Sequence, residues 1–235
     1  MLFISDLFSI ADDIVTIADP RIHHQCLHVL RMKPWETFFL QPTDWSVRYS
    51  FSIDSIDKKT FIGHITHTEK QQFKTQNLKS IISLPNRRDK AELIVQKLTE
   101  IGVSQIIFAP SDRSIIHTAN EKKLDRLHTI ALEACEQSYG RHLPEISIAS
   151  SLTDYCDTHP WCYLVCDIPK KDQTYNLELK TYNSIVVGPE WWRSDREQQF
   201  FNTKNYHTLW LGSTVLRMET AAIVASRYVI NHLWS

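Results

Sequence analysis

Along the first third of the chain, apolar and polar positions alternate in short runs, DIVTI, ETFFLQ, VRYSFSID and KTFIGHITHT, set between turn residues. A period of two turns one face of a strand inward, so these runs predict a small β-rich domain over residues 1–68. One stretch breaks the rhythm. From His23 to Met32 the residues Ile22, Cys26, Val29 and Leu30 fall at helical spacing and predict a single short helix. The polar tract EKQQFKTQN, residues 69–77, then reads as a linker.

Residues 78–235 change pattern. LKSIISLP predicts a strand, and Asp89 is placed to cap a helix whose apolar stripe is Ala91, Ile94, Leu98 and Ile101, ending at Gly102. SQIIFAP, WCYLVCDIP, SIVVGP and YHTLWLGS predict further strands. Helices are expected over Glu121–Ser138, after the Ser194/Glu197 capping box, and over Leu216–Leu233. Strands alternating with helices predict an α/β domain with a mainly parallel sheet.

In such sheets ligands collect beyond the C-terminal strand ends. Three ends carry unusual residues: Asp167-Ile168-Pro169, Gly188-Pro189-Glu190, and Leu211-Gly212-Ser213-Thr214-Val215-Leu216-Arg217. The last runs into a helix, whose free N–H groups and positive dipole end suit a carboxylate or phosphate. Arg217 in that first turn opposes the dipole. It serves either a function there or a pairing with Glu219 or Glu190.

Composition narrows the classes. With 43% hydrophobic and 23% charged residues and a net charge of −1, the chain has no global attraction to polyanions, so an RNA partner must meet local basic clusters. Arg21, Arg31 and Lys33, with Trp35 close by, form one such cluster, readable as a phosphate-contacting surface or as a solvated helix face. His24 and His28 share a helix face, but no histidine set has metal-ligand spacing, and no metal is expected. Five cysteines without paired spacing, no basic lead before the apolar N-terminus and no membrane-length apolar run predict a cytoplasmic protein with reduced thiols. GxGxxG, GxxxxGK and HExxH are all absent, which leaves nicotinamide, ATP and zinc-protease chemistry unsupported. Glu133, Glu136, Gln137, Ser138 and Arg141 read as an ordinary helix end.

Five stretches in order, HHQCLHVLRMKPWE, KAELIVQKLTEIGVSQIIFAPSDRS, IALEACEQSYGRHLPEI, VVGPE and LGSTVLRMETAA, resemble the RsmE-type 16S ribosomal RNA uridine-N3 methyltransferases of the SPOUT class. The resemblance spans nearly the whole chain. It implies a PUA-like N-terminal domain that helps hold RNA and a C-terminal α/β domain with a deep trefoil knot. It also implies S-adenosylmethionine as cofactor, small-subunit ribosomal RNA as substrate and a homodimer. Carried over by motif, the cofactor pocket comprises Val187, Gly188, Glu190, Leu211, Gly212, Ser213, Val215 and Leu216, with Leu164 and Val165 on the adjoining strand. Arg217, Glu219 and Thr220 match the motif held nearest the reacting base. His24, Arg31, Arg113 and Arg141 match positions that serve RNA or the dimer, beside Arg21 and Lys33 of the basic cluster. Uridine N3 carries an imide proton, so the implied catalytic roles are imidate stabilisation by Arg217 and proton acceptance by Glu190 or Glu219.

The departures from the family gather at the pocket. Trp191-Trp192 replace two glycines, Arg87 or Arg88 replaces a glycine after SLPN, Trp35 replaces another, and Thr214 stands where arginine is common. The two indoles either leave activity intact by turning outward or stacking on a base, or form a dimer contact, or fill the pocket of an RNA-binding relative that has lost catalysis. Because Gly188, Glu190, Gly212, Leu216, Arg217, Glu219 and Thr220 keep their motif places, an active methyltransferase is the expectation.

Overall fold

The computed structural model describes residues 1–70, 77–115, 121–159, 163–167, 182–189, 193–204 and 206–233. They form two units: Met1–Lys74 with Glu136–Arg141, and Thr75–Cys135 with His142–Ser235.

The first unit is a six-stranded sheet in the order β1-β4-β5-β6-β3-β2. The strands are β1 (Leu2–Ile4), β2 (Phe8–Ala11), β3 (Ile14–Ile17), β4 (Thr37–Gln41), β5 (Val47–Ile56) and β6 (Phe61–Lys70). All neighbours are antiparallel except β1 and β4. Inward residues meet in an aromatic core where Phe38 packs edge-on to Phe3, ring centres 5.0 Å apart, and lies 4.9 Å from Phe51. Burying side chains of this size contributes on the order of 1.5–3 kcal/mol each. Glu69 and Lys70 belong to β6, paired with Arg48 and Val47, so the strand runs into the expected linker; residues 71–76 lie outside the described residues.

The expected helix at 23–32 is two pieces. Helix α1 (Pro20–His24) is capped by Asp19, whose carboxylate accepts from the Arg21 and Ile22 N–H groups. A π-helical turn, Gln25–Val29, follows, with Leu30 N–H donating five residues back to Gln25. Bonding one residue further back than in an α-helix rotates the later side chains off the stripe. Ile22 and Cys26 are fully buried as expected, whereas Val29 is 64% exposed and Leu30 is exposed too.

Glu136–Arg141 group with this unit rather than with the domain to which the sequence reading gave them. Glu136 is only 4% exposed and accepts from Ile4 N–H at 2.8 Å and from the Arg21 guanidinium at 2.9 Å. Arg21 also donates to Ile4 O. It is therefore engaged in a structural ion pair, a role its place in a basic cluster did not reveal. Burial, only partly offset by Arg21, raises the Glu136 pKa. A raised acid holds its proton in the folded state after the unfolded chain has lost it, so stability falls as pH rises from the usual carboxylate range through the folded pKa. Glu136→Gln keeps an acceptor for Ile4 and cannot titrate. Its unfolding midpoint should match wild type at acid pH and exceed it at neutral pH; the opposite trend would contradict this assignment.

The second unit has an all-parallel sheet, β12-β10-β11-β7-β8-β9. Its strands are β7 (Lys79–Ser83), β8 (Gln105–Ala109), β9 (Glu145–Ile148), β10 (Tyr163–Asp167), β11 (Ser184–Val187) and β12 (His207–Trp210). Central β11 is buried at every position, as a strand covered on both faces must be. The helices are α2 (Arg88–Ile101), α3 (Glu121–Gln137), α4 (Leu152–Thr158), α5 (Asp195–Thr203) and α6 (Met218–Leu233). One face of the sheet carries Leu164, Cys166, Ile185 and Val187 against α2 and α6; the other carries Tyr163, Val165 and Val186 with Leu152 of α4 and Phe201 of α5. Asp89 does not cap α2: Arg87 occupies the cap position without a side-chain cap bond, and its guanidinium pairs with Asp89 at 2.6 Å.

Candidate functional site

Three parallel strands end level with one another. Cys166 of β10 pairs with Val187 of β11 and with Leu209 of β12, and Asp167 pairs with Trp210. Beyond these ends lies a cavity of about 380 Å³ in the second unit, within the usual range for small-molecule sites. Its walls come from the ends of β10 and β11, from Trp210 and the segment leading to α6, and from Lys90 of α2.

The segment before α6 is shaped by backbone. Gly212 adopts φ +121°, a region that side-chain-bearing residues rarely occupy, and its carbonyl accepts from the Trp210 indole N–H. Arg217 closes the segment as the residue that caps α6, its carbonyl accepting from Ala221 N–H at 2.8 Å. The N–H groups of the first turn, which have no partner within the helix, thus belong to the stretch of chain with which Arg217 and Met218 line the cavity.

Arg193 runs across the floor. Its guanidinium pairs with Asp167 at 3.2 Å, donates to Cys166 O and lies over the Phe201 ring, 5.1 Å from its centre. The side chain is 7% exposed, and Nε has no hydrogen-bond partner among the described residues. A Cβ on Gly188 would lie 3.2 Å from that Nε, so a glycine there makes room for the arginine. Arg193 is aimed by the next residues: the Ser194 hydroxyl accepts from Glu197 N–H and the Glu197 carboxylate accepts from Ser194 N–H, the capping box read in the sequence. Burial pushes the Cys166 thiol up to about 12, with Arg193 opposing and Asp167 reinforcing the shift. At neutral pH this cavity residue is a thiol, unsuited to nucleophilic catalysis.

Glu219 is buried in the first turn of α6. Its carboxylate faces Lys90 at 3.7 Å, and Oε2 has no hydrogen-bond partner among the described residues. The group the site must hold can be tested against this set. A nucleoside carrying an amino acid needs an apolar slot, acceptors and donors for a diol, and a seat for a carboxylate. Val187 and Leu216 supply apolar wall, Asp167 and backbone carbonyls supply acceptors, and the α6 N-terminus with Arg217 supplies positive potential. The residues fit.

A sequence profile of the RNA methyltransferase domain matches residues 71–230. The chain belongs to the RNA methyltransferase domain family. Among relatives of this RNA methyltransferase family, ribosomal RNA small subunit methyltransferase E 2 of Borreliella burgdorferi is 28% identical over 234 residues, covering 93% of this chain and 92% of that protein. Ribosomal RNA small subunit methyltransferase E of Rickettsia conorii is 30% identical over 165 residues, 66% of each chain. The family read from the five motifs is thereby borne out. Two solved structures share the fold at 22% identity, each aligned over 98% of this chain and 96% of its own. One is a Legionella pneumophila protein with bound SAM, TM-score 0.82; the other is ribosomal RNA small subunit methyltransferase E from Neisseria gonorrhoeae bound to S-adenosyl methionine, TM-score 0.77.

Of the residues the motifs assigned to this methyltransferase pocket, Val187, Gly188, Leu211, Gly212, Val215, Leu216 and Arg217 line the cavity. Ser213 and Thr220 are exposed and do not line it. Val165 points to the opposite face of the sheet and Leu164 sits in the core below, because side chains alternate along β10. Cys166 and Asp167, one step further, take their place. Glu190, Trp191 and Trp192 lie outside the described residues, as do Ile168 and Pro169. Sequence reasoning missed Arg193, Lys90, Trp210 and Gln198 as cavity residues. Lys90 and Trp210 follow or end a strand, so the strand-end rule could have found them; Arg193 gave no local signal.

The candidate RNA residues divide between the units. Arg21, His24, Arg31, Lys33 and Arg141 belong to the first and Arg113 to the second. All but Arg21 are exposed, and the His24 ring lies 5.1 Å from that of His28. No cluster of metal-ligating side chains occurs among the described residues, and no helix there is long and apolar enough to cross a membrane.

Proposed function

We propose that this protein methylates N3 of a uridine in small-subunit ribosomal RNA, using S-adenosylmethionine held at the ends of β10, β11 and β12. The observation that carries the reading is the strand-end cavity closed by Gly188, Gly212 and Arg217 in a chain of the RNA methyltransferase family. The cofactor, when bound, supplies an activated sulfonium methyl. The chain's part is alignment and control of one proton. Arg217, at the cavity edge, holds the uracil oxygens as negative charge develops on the imidate. The N3 proton passes to a carboxylate, Glu190 or Glu219. Lys90, 3.7 Å from the Glu219 carboxylate, orients it for such a role. Arg193, fixed by Asp167 and Cys166, sets the floor against which the ligand rests.

The reading extends to architecture. β12 lies at the sheet edge beyond β10, yet α6, which follows it, packs on β11 and β7. A return from edge to centre past the strand ends supports a trefoil-knotted SPOUT domain over residues 78–235, joined to a PUA-like RNA-binding domain over residues 1–68. A homodimer in the cytoplasm completes the proposal.

Titration calorimetry with S-adenosylmethionine is the direct test. Saturable heat, together with methyl transfer to unmodified small-subunit RNA and mapping of the product to uridine N3, is the expected result. A folded protein that gives no heat at millimolar ligand would sink the enzyme reading.

A further inference from the structure

The turn between the π-helical segment and β4 holds its one aromatic residue in a costly state. Trp35 has φ +80°, in the left-handed region that disfavours any residue bearing a Cβ, and a bulky side chain most. Its indole is 77% exposed, so no burial within the described residues offsets that strain. The backbone is locked in place. Trp35 N–H donates to Ile53 O at 2.7 Å, Ile53 N–H donates to Glu36 O at 3.1 Å, and Lys33 N–H donates to the Glu36 carboxylate at 2.8 Å. Such a turn holds the Trp35 backbone in place and presents its indole to solvent, so stacking has only the side-chain torsions left to order.

The surroundings say on what. From Pro20 to Trp35 the chain has three cations, three histidines and no acidic residue, although its overall net charge is −1. Arg21 is taken by Glu136; Arg31 and Lys33 are exposed on either side of Met32. An exposed ring set among cations suits a nucleobase with a phosphate on each side better than an acidic or purely apolar surface.

We infer that Trp35 is a stacking platform for an unpaired base of the RNA substrate, with Arg31 and Lys33 contacting the flanking phosphates. This rests on the RNA-methyltransferase reading and adds a recognition residue far along the chain from the cavity residues. Val29 and Leu30 are also exposed on the preceding segment, so a protein contact is the rival occupant.

The strain makes the test two-sided. Trp35→Gly removes the indole and relieves the backbone, so its unfolding midpoint should equal or exceed wild type. Its affinity for a fluorescein-labelled single-stranded fragment of small-subunit ribosomal RNA should fall about 5–100-fold by anisotropy. The salt dependence of binding should keep its slope, because the indole neutralises no phosphate. Trp35→Phe should recover most of the affinity, and Lys33→Ala should weaken binding while lowering the salt slope by about 0.7. Wild-type affinity in Trp35→Gly would overturn the inference. So would a change in oligomeric mass with RNA affinity intact, which assigns the surface to a protein contact. If the wild-type protein itself fails to bind the RNA, the RNA reading of the whole chain falls first, and this inference with it.

Discussion

Arg217→Ala is expected to lower the rate of methyl transfer by about 10²–10³-fold while leaving S-adenosylmethionine affinity nearly unchanged. The magnitude is that of removing one well-placed charge that acts only as negative charge develops in the transition state. Arg217 stands at the start of α6, where the dipole disfavours a cation, and its side chain is exposed at the cavity edge, with no ion pair to a carboxylate among the described residues. The nearby acid, Glu219, is engaged by Lys90 instead. A cation placed against the dipole and beside the cavity is placed for a ligand. Arg217→Lys should restore only part of the rate, since a point charge cannot bridge two uracil oxygens as a guanidinium fork can. Single-turnover methylation and calorimetry separate the two effects. Persistent turnover in the alanine variant would remove Arg217 from the chemistry, and loss of cofactor binding in step with rate would reassign it to holding the cofactor.

How far the sequence foretold the site depended on which signals are local. Alternation and helical spacing located most strands and helices of both units, and the capping box at Ser194 and Glu197 was legible to the residue. The pattern does not predict the short β1, β2, β9 and α4, because three to seven residues give too little periodicity. The π-turn after His24 was invisible for a related reason. Ile22, Cys26, Val29 and Leu30 satisfy helical spacing, but a bond five residues back alters which of them point inward. At the cavity, Gly188 and Gly212 of the backbone-shaped segments both contribute to the lining, since each is fixed by its own strand end. On β10 the lining comes from Cys166 and from Asp167, which the strand-end rule also names, whereas Leu164 and Val165, matched by motif, lie one step back from it. Strand phase relative to a cavity is a tertiary fact. The Arg21–Glu136 pair is another, joining residues 115 apart in sequence.

Gly188→Ala should weaken S-adenosylmethionine binding about 5–100-fold, and the loss should shrink when Arg193 is also replaced by alanine. A methyl at residue 188 would come within about 3.2 Å of Arg193 Nε, closer than such contacts normally stand. A free arginine would swing aside. This one is held at three points, by Asp167, by Cys166 O and by the Phe201 ring, so the strain passes into the cavity floor instead. Arg193→Ala alone should lower stability by about 1–3 kcal/mol, since it removes the cation from the half-buried Asp167 carboxylate and leaves Cys166 O without that donor. In the double variant the new methyl enters space that the guanidinium vacates, so the combined loss should be smaller than the sum by about 0.5–3 kcal/mol. Gly188 and Arg193 flank Pro189-Glu190-Trp191-Trp192 in the sequence. Coupling between them would mean that the arginine after the two tryptophans is packed against the glycine before them, so that residues 188 and 193 act as one unit. Strictly additive losses would show that Gly188 and Arg193 act apart and that the glycine serves the ligand alone.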